Sequence, residues 1–138
     1  MTRKSVQLLV VLAIVMVFSI TTHTVRLRLG ESIYTKRGTY AYFVCVSSVI
    51  KAIPEIDIVG SADFYSSAGD GPKLPTDEVR YKTGAQTEVV MSRIAAHLKQ
   101  IGYVEIGFGR FELHQSQVVV VVEPDGQGRS TVLVTETR

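Results

Sequence analysis

Thr83-Gly84-Ala85-Gln86-Thr87-Glu88-Val89-Val90-Met91-Ser92-Arg93-Ile94-Ala95-Ala96-His97-Leu98-Lys99-Gln100-Ile101-Gly102-Tyr103 carries the clearest periodic signal in the chain. Val90, Met91, Ile94, Ala95, Leu98 and Ile101 recur at helical spacing and form one apolar stripe, with Glu88, Ser92, Lys99 and Gln100 away from it. Thr83 and Gln86 have the spacing of a capping box, in which a hydroxyl takes one unpaired amide and the glutamine returns to another. Gly102 can take the left-handed conformation that ends a helix, and Tyr103 is placed to pack back on the last turn. The pattern predicts a helix from Thr83 to Gly102 with one buried face.

Strand patterns surround it. Downstream, Tyr103 to Leu113, Gln117 to Glu123 and Arg129 to Thr137 read as strands. Gly107-Phe108-Gly109 interrupts the first of these and is predicted to be a bulge, because Val104 and Ile106 give way there to Phe111 and Leu113. Val118 to Val122, five valines, predicts a central strand buried on both faces. Pro124 to Gly128 is a hairpin loop, and Val132 and Val134 alternate with Thr131, Leu133 and Thr135. Upstream, Glu78 to Lys82 alternates, with Val79 and Tyr81 on one face. Ile56 to Val59 and Ala62 to Tyr65 flank Gly60-Ser61, and Ser66 to Asp77 is dense in turn formers. Val25 to Leu29 and the aromatic, β-branched Thr39 to Val46 are also predicted as strands; Ser47 to Ile53 extends the latter or makes a helical turn, and Pro54 stops either. The order gives an α+β domain: one helix packed on a mainly antiparallel sheet that ends in a three-stranded meander.

The N-terminus is different in kind. Leu8 to Ile20 holds no charge, no Gly and no Pro, behind Arg3 and Lys4. A helix over Ser5 to Thr22 would be about 27 Å long, the short end of a membrane span. A basic tail and apolar run also begin a secretory signal peptide, yet Ser19-Ile20-Thr21-Thr22-His23 lacks an Ala-x-Ala cleavage pattern. The expectation is an uncleaved single-pass anchor in a bacterial inner membrane, with Met1 to Lys4 cytoplasmic and the C-terminal domain periplasmic or extracellular. The cations Arg26, Arg28, Lys36 and Arg37 pull the other way under the positive-inside rule.

Beyond Lys4 the chain carries 13 basic and 13 acidic residues, unevenly placed: Thr24 to Ala52 is net +4 and Ile53 to Arg138 net −4. Three regions follow: an anchor or signal sequence over 1–23, a basic juxtamembrane strand segment over 24–52, and the α+β domain over 53–138. Arg26, Arg28, Lys36 and Arg37 form a collar suited to anionic lipid head groups. A body of net negative charge does not suit nucleic acid. Cys45 is the single cysteine, so no intrachain disulfide forms, and its apolar neighbours predict a buried small hydrophobe.

Ile53-Pro54, Gly60-Ser61-Ala62, the Gly-rich loop, Val79-Arg80-Tyr81-Lys82-Thr83, Glu88-Val89-Val90, Leu98, Gly102-Tyr103 and a closing hairpin follow a recurrent layout. It resembles small exported or membrane-anchored bacterial proteins of unknown function with a Pro…Gly-Ala…Tyr-x-Thr…helix…Gly-aromatic domain. The resemblance covers 53–138, implies a fold and a location, and brings no catalytic residue.

Chemistry is sparse. His23, His97 and His114 have no metal spacing, Gly107-x-Gly109 lacks the helix of a phosphate loop, and Asp77-Glu78 reads as a solvated strand entry. No cofactor and no catalytic residue are expected. The leading reading is a non-catalytic interaction or assembly subunit of a cell-envelope membrane complex, with the lipid bilayer and a protein as partners. The alternative is a small-molecule or lipid-binding module whose loop residues Tyr65, Ser66, Ser67, Asp70, Lys73, Asp77 and Tyr81 would line a ligand or partner site; an enzyme comes third.

Overall fold

The computed structural model describes residues 3–29, 32–70 and 72–138, and the side chains of 3–5 and 26–29 lie outside that description. Behind helix α1 (Arg3–Leu29), strand β1 (Ile33–Lys36) and short helices α2 (Tyr40–Cys45) and α3 (Ser48–Ala52) lead to β2 (Ile58–Ser67) and β3 (Thr76–Thr83). Helix α4 (Thr87–Gln100) follows, and then β4 (Val104–Gly107), β5 (Arg110–Leu113), β6 (Ser116–Pro124) and β7 (Ser130–Thr137). The strands form one antiparallel sheet in the order β1-β2-β3-β7-β6-β5-β4, so the C-terminal meander joins the N-terminal strands through β7 against β3. This is the expected α+β class.

Strand alternation makes one face of the sheet apolar. Val79, Val134 and Val120 stand in one cross-strand row and Tyr81, Val132 and Val122 in the next, all but Val122 fully buried. Helix α4 lays Val90, Ile94 and Leu98, each 0% exposed, on that face. Each such side chain removed from water contributes roughly 1.5–3 kcal/mol. Gly102, at φ +99°, terminates the helix: its N–H donates to the Lys99 carbonyl and that of Tyr103 to Leu98. Tyr42 of α2, Val46 between the short helices and Ile50 of α3 complete the core beside Phe64. The opposite face of the sheet carries no helix among the described residues.

Several local expectations change. Helix α1 runs on through Leu29, so Val25 to Leu29 is not a strand; within it Val6–Val25 is a 20-residue stretch long and apolar enough to cross a membrane, none of it buried. Within Thr39 to Val46, Tyr40–Cys45 is helical rather than extended: the Thr39 hydroxyl caps α2 by accepting the Tyr42 N–H, and Tyr42 and Val46 both go to the core. Cys45, at its end, is half-buried. Thr83 closes β3 instead of capping α4: its hydroxyl donates to the Ile56 carbonyl at 2.6 Å and accepts the Ala85 N–H at 3.0 Å, so the helix starts at Thr87. Ile101 follows the helix and stands 39% exposed, off the stripe.

Gly107-Phe108-Gly109 reverses the chain where a bulge was expected. Gly107 pairs with Arg110, giving a β4–β5 hairpin and a fourth strand in the meander. Gly109 has φ +66°, and a Cβ there would meet the Val120 carbonyl oxygen at 2.6 Å, so only glycine fits the turn. The valine run is buried on one face only, since Val119 faces the uncovered side and is 36% exposed. The register does shift beside this turn, between Glu105 and Gly107, and it shifts again within β2 between Val59 and Asp63, where Ile58 to Ser67 form a single strand.

Candidate functional site

Alternation on β2 and β3 divides the expected ligand residues between opposite faces. Ser66, Asp77 and Tyr81 point to the core, Tyr65 and Ser67 to the uncovered face, and Asp70 and Lys73 sit in an exposed turn closed by the Lys73 N–H on the Asp70 carbonyl. Gly71, beside them, lies outside the described residues. Tyr81 donates its hydroxyl to the Pro54 carbonyl at 3.1 Å, and Ser66 donates to Cys45 at 3.2 Å; both act inside the fold. Of the lipid collar, Lys36 ends β1 and Arg37 follows it, facing Asp63 at 3.8 Å and Glu55 at 2.6 Å respectively. The side chains of Arg26 and Arg28 lie outside the described residues.

Asp77 is not at a solvated strand entry. Its side chain is 0% exposed, and it pairs across the strands with Glu136, itself 2% exposed. Arg138 caps Asp77 with an ion pair, while Glu136 accepts from Ser116 at 2.9 Å and Tyr103 at 3.3 Å. Asp77 Oδ1 and Glu136 Oε2 are buried without a hydrogen-bond partner among the described residues. Burial pushes the Asp77 carboxyl above its ordinary range, with a further push from Glu136 and against the pull of Ser66 and Arg138. The Tyr103 hydroxyl is likewise raised, first by burial. The cluster pins the end of β7 to β3, β6 and the segment after α4. Its bonded partners are 13 to 61 residues apart in sequence, so only the fold brings them together.

The uncovered face holds a hollow of about 520 Å³ at the β1–β2–β3 corner. Tyr34 and Tyr65 stand there with ring centroids 5.0 Å apart, beside Lys36, Asp63, Glu78 and Arg80. The charges are largely matched, Lys36 by Asp63 and Arg80 by Glu78 at 3.4 Å. Tyr65 is the one expected ligand residue in this set. Tyr34 and Arg80 were missed; Arg80 was signalled by the period-2 alternation of β3, whereas Tyr34 comes in through the pairing of β1 with β2.

The opposite edge of the sheet is apolar. Strand β4 exposes Val104 by 65% and Ile106 by 54%, and the turn after it exposes Phe108 by 90%. A cleft of about 420 Å³ runs beside them, between Met91 and Ala95 of α4 and Phe108 and Phe111 of the hairpin. Edge strands are ordinarily protected by charge, proline or cover. Here only Glu105, held by Lys99 at 2.7 Å, interrupts the apolar run.

Among the described residues no three His, Cys, Asp or Glu side chains gather in a way that would hold a metal ion. His23 stacks on Tyr40, His97 flanks α4 with a buried Nε2, and His114 sits in the β5–β6 turn. No protein-family model, no curated protein and no solved structure matches the chain.

Proposed function

We propose that the protein is a membrane-anchored, non-catalytic interaction or assembly subunit of a cell-envelope complex, its sheet domain on the periplasmic or extracellular side. The observation that carries this reading is the apolar β4 edge. Val104, Ile106 and Phe108 stand in water at a sheet edge with no further strand beside it among the described residues. A partner strand added there would pair with the edge backbone while its side chains cover the exposed ones. The apolar, unburied α1 supports attachment to a bilayer.

The test is purification of the full chain in a gentle detergent, wild type beside Ile106→Lys. A partner recovered in stoichiometric amount with wild type and lost with the variant is expected. A chain that purifies alone, or a partner that Ile106→Lys retains, refutes the reading. Orientation is tested separately in a Cys45→Ser background. Gln127→Cys, at the exposed β6–β7 turn, should react in whole cells with a thiol reagent that cannot cross the inner membrane. Reaction only after lysis would put the domain in the cytoplasm.

The Tyr34/Tyr65 hollow favours a second reading, a small-molecule or lipid-binding module. Its size suits a ligand of ordinary dimensions. A bound small molecule released by Tyr65→Ala and kept by Ile106→Lys would select it.

A further inference from the structure

The junction between α1 and the domain is built, not merely tethered. His23 stacks on Tyr40 at a centroid distance of 5.7 Å and 23° between rings, and Thr24 Oγ1 hydrogen-bonds the Tyr40 hydroxyl. These two helix residues belong to the last turn of the apolar stretch, which ends at Val25. The first residue of α2 is therefore held level with the end of the stretch that would cross the membrane. Thr39 fixes the turn into α2, donating to the Lys36 carbonyl at 2.9 Å and capping Tyr42.

Helix α2 has two unlike faces. Tyr42 goes to the core at 6% exposed, packing edge-on to Phe64 at 4.8 Å. Tyr40 and Phe43, three residues apart, share another face and remain 44% and 64% exposed. A lysine borders that face. Lys51 Nζ donates to the Phe43 carbonyl at 2.7 Å and has no ion pair among the described residues, while Lys36 ends β1 and Arg37 follows it ahead of α2. Asp63 and Glu55 already match Lys36 and Arg37, so the face offers aromatic surface with little unmatched charge. An amphipathic tyrosine ring at the end of a membrane span, with an apolar phenylalanine and a lysine beside it, is what the head-group layer of a bilayer accommodates.

We infer that α2 is a second membrane-contact element, its Tyr40–Phe43 face seated in the head-group layer of the same bilayer that α1 crosses. This holds the β1 edge of the sheet against the lipid. The inference rests on the anchored reading of α1, and the occupant is lipid, not a protein partner or a second copy of the chain.

The sequence has no tryptophan, so single tryptophans report position without background. The full chain is reconstituted in phosphatidylcholine vesicles, plain or brominated at defined depths of the acyl chain. Three variants are compared: Phe43→Trp; Val15→Trp, in the middle of α1; and Phe108→Trp, at the far edge of the sheet. Expected is loss of Phe43→Trp emission, greater with shallow than with deep bromines; Val15→Trp should show the reverse order and Phe108→Trp no loss. If Val15→Trp is quenched and Phe43→Trp is not, α2 lies off the lipid: the inference fails while the anchor stands. A blue-shifted but unquenched Phe43→Trp assigns the face to protein and also overturns it. Equal quenching at 43 and 108 means the domain adheres without preference, which overturns it too. If Val15→Trp is itself unquenched, the anchored reading fails and takes the inference with it.

Discussion

Leu98→Ala tests the packing on which the fold depends. Leu98 is 0% exposed and sits with Val90 and Ile94 where α4 meets the sheet. Truncation removes three carbons, about 2.4 kcal/mol at roughly 0.8 per buried carbon. The surroundings cannot fully close, because the Tyr103 N–H is held on the Leu98 carbonyl and fixes the last helical turn. The unfilled space adds to the cost, for a total of about 2–5 kcal/mol. A domain of this size has only about 5–15 kcal/mol to lose, and the midpoint of thermal unfolding should drop by roughly 10–20 °C. Lys99→Ala, one residue on, removes an ion pair to Glu105 from a side chain that is 54% exposed. Its cost should stay within about 0.5 kcal/mol. Both are measured by urea unfolding of the detergent-solubilised chain, followed by circular dichroism. If the two variants are equally mild, α4 does not bury the Val90/Ile94/Leu98 stripe and the core is assigned wrongly.

Tyr103→Phe deletes the hydroxyl that reaches Ser116 at 2.8 Å and Glu136, and should cost about 1–3 kcal/mol in the same unfolding assay. Gly102→Ala should cost about 1–2 kcal/mol, because an alanine there must hold φ +99° although its Cβ would meet only ordinary contacts at 3.8 Å and beyond. Asp77→Asn should reverse a pH trend. With its pKa raised in the folded state, Asp77 keeps a proton that the unfolded chain gives up from its ordinary value of 3.8 upward. That contribution to stability is complete below 3.8 and fades as pH climbs through the raised value, so wild type should lose ground to Asp77→Asn over this window. An unchanged or opposite difference across the titration would mean that the folded pKa is not raised.

What the sequence made legible was periodic and local. The α4 stripe, the Gly102 terminus, the β7 alternation and the turn at Asp125, whose carboxylate accepts the Gln127 and Arg129 N–H groups, all follow from residues close in sequence. What it hid was decided by distant partners. Tyr40 to Cys45 has strand-like residue types, yet it forms a helix that sets Tyr42 in the core against Phe64. Asp77 looks like a surface carboxylate until β7 is laid against β3 and brings Glu136 and Arg138 to it. The Tyr65 side of the uncovered face could be read from alternation, but Tyr34 joins it through a β1–β2 pairing that no local pattern announces.

Strand order gives the proposed role a geometry. β1, the strand nearest in sequence to the anchor, is one edge of the sheet, and β4 is the other, six strand spacings away. At about 4.8 Å each, that separates the two edges by roughly 29 Å. A domain that touched lipid through α2 and a partner through β4 would therefore keep its protein contact nearly a bilayer's thickness from its lipid contact, measured along the sheet. The antiparallel sheet between them is locked at one end by the Asp77–Arg138 pair and the Tyr103–Ser116–Glu136 cluster, and packed along its length by α3 and α4. On this reading the function of the chain lies in its two edges, and the core exists to hold them at a fixed spacing.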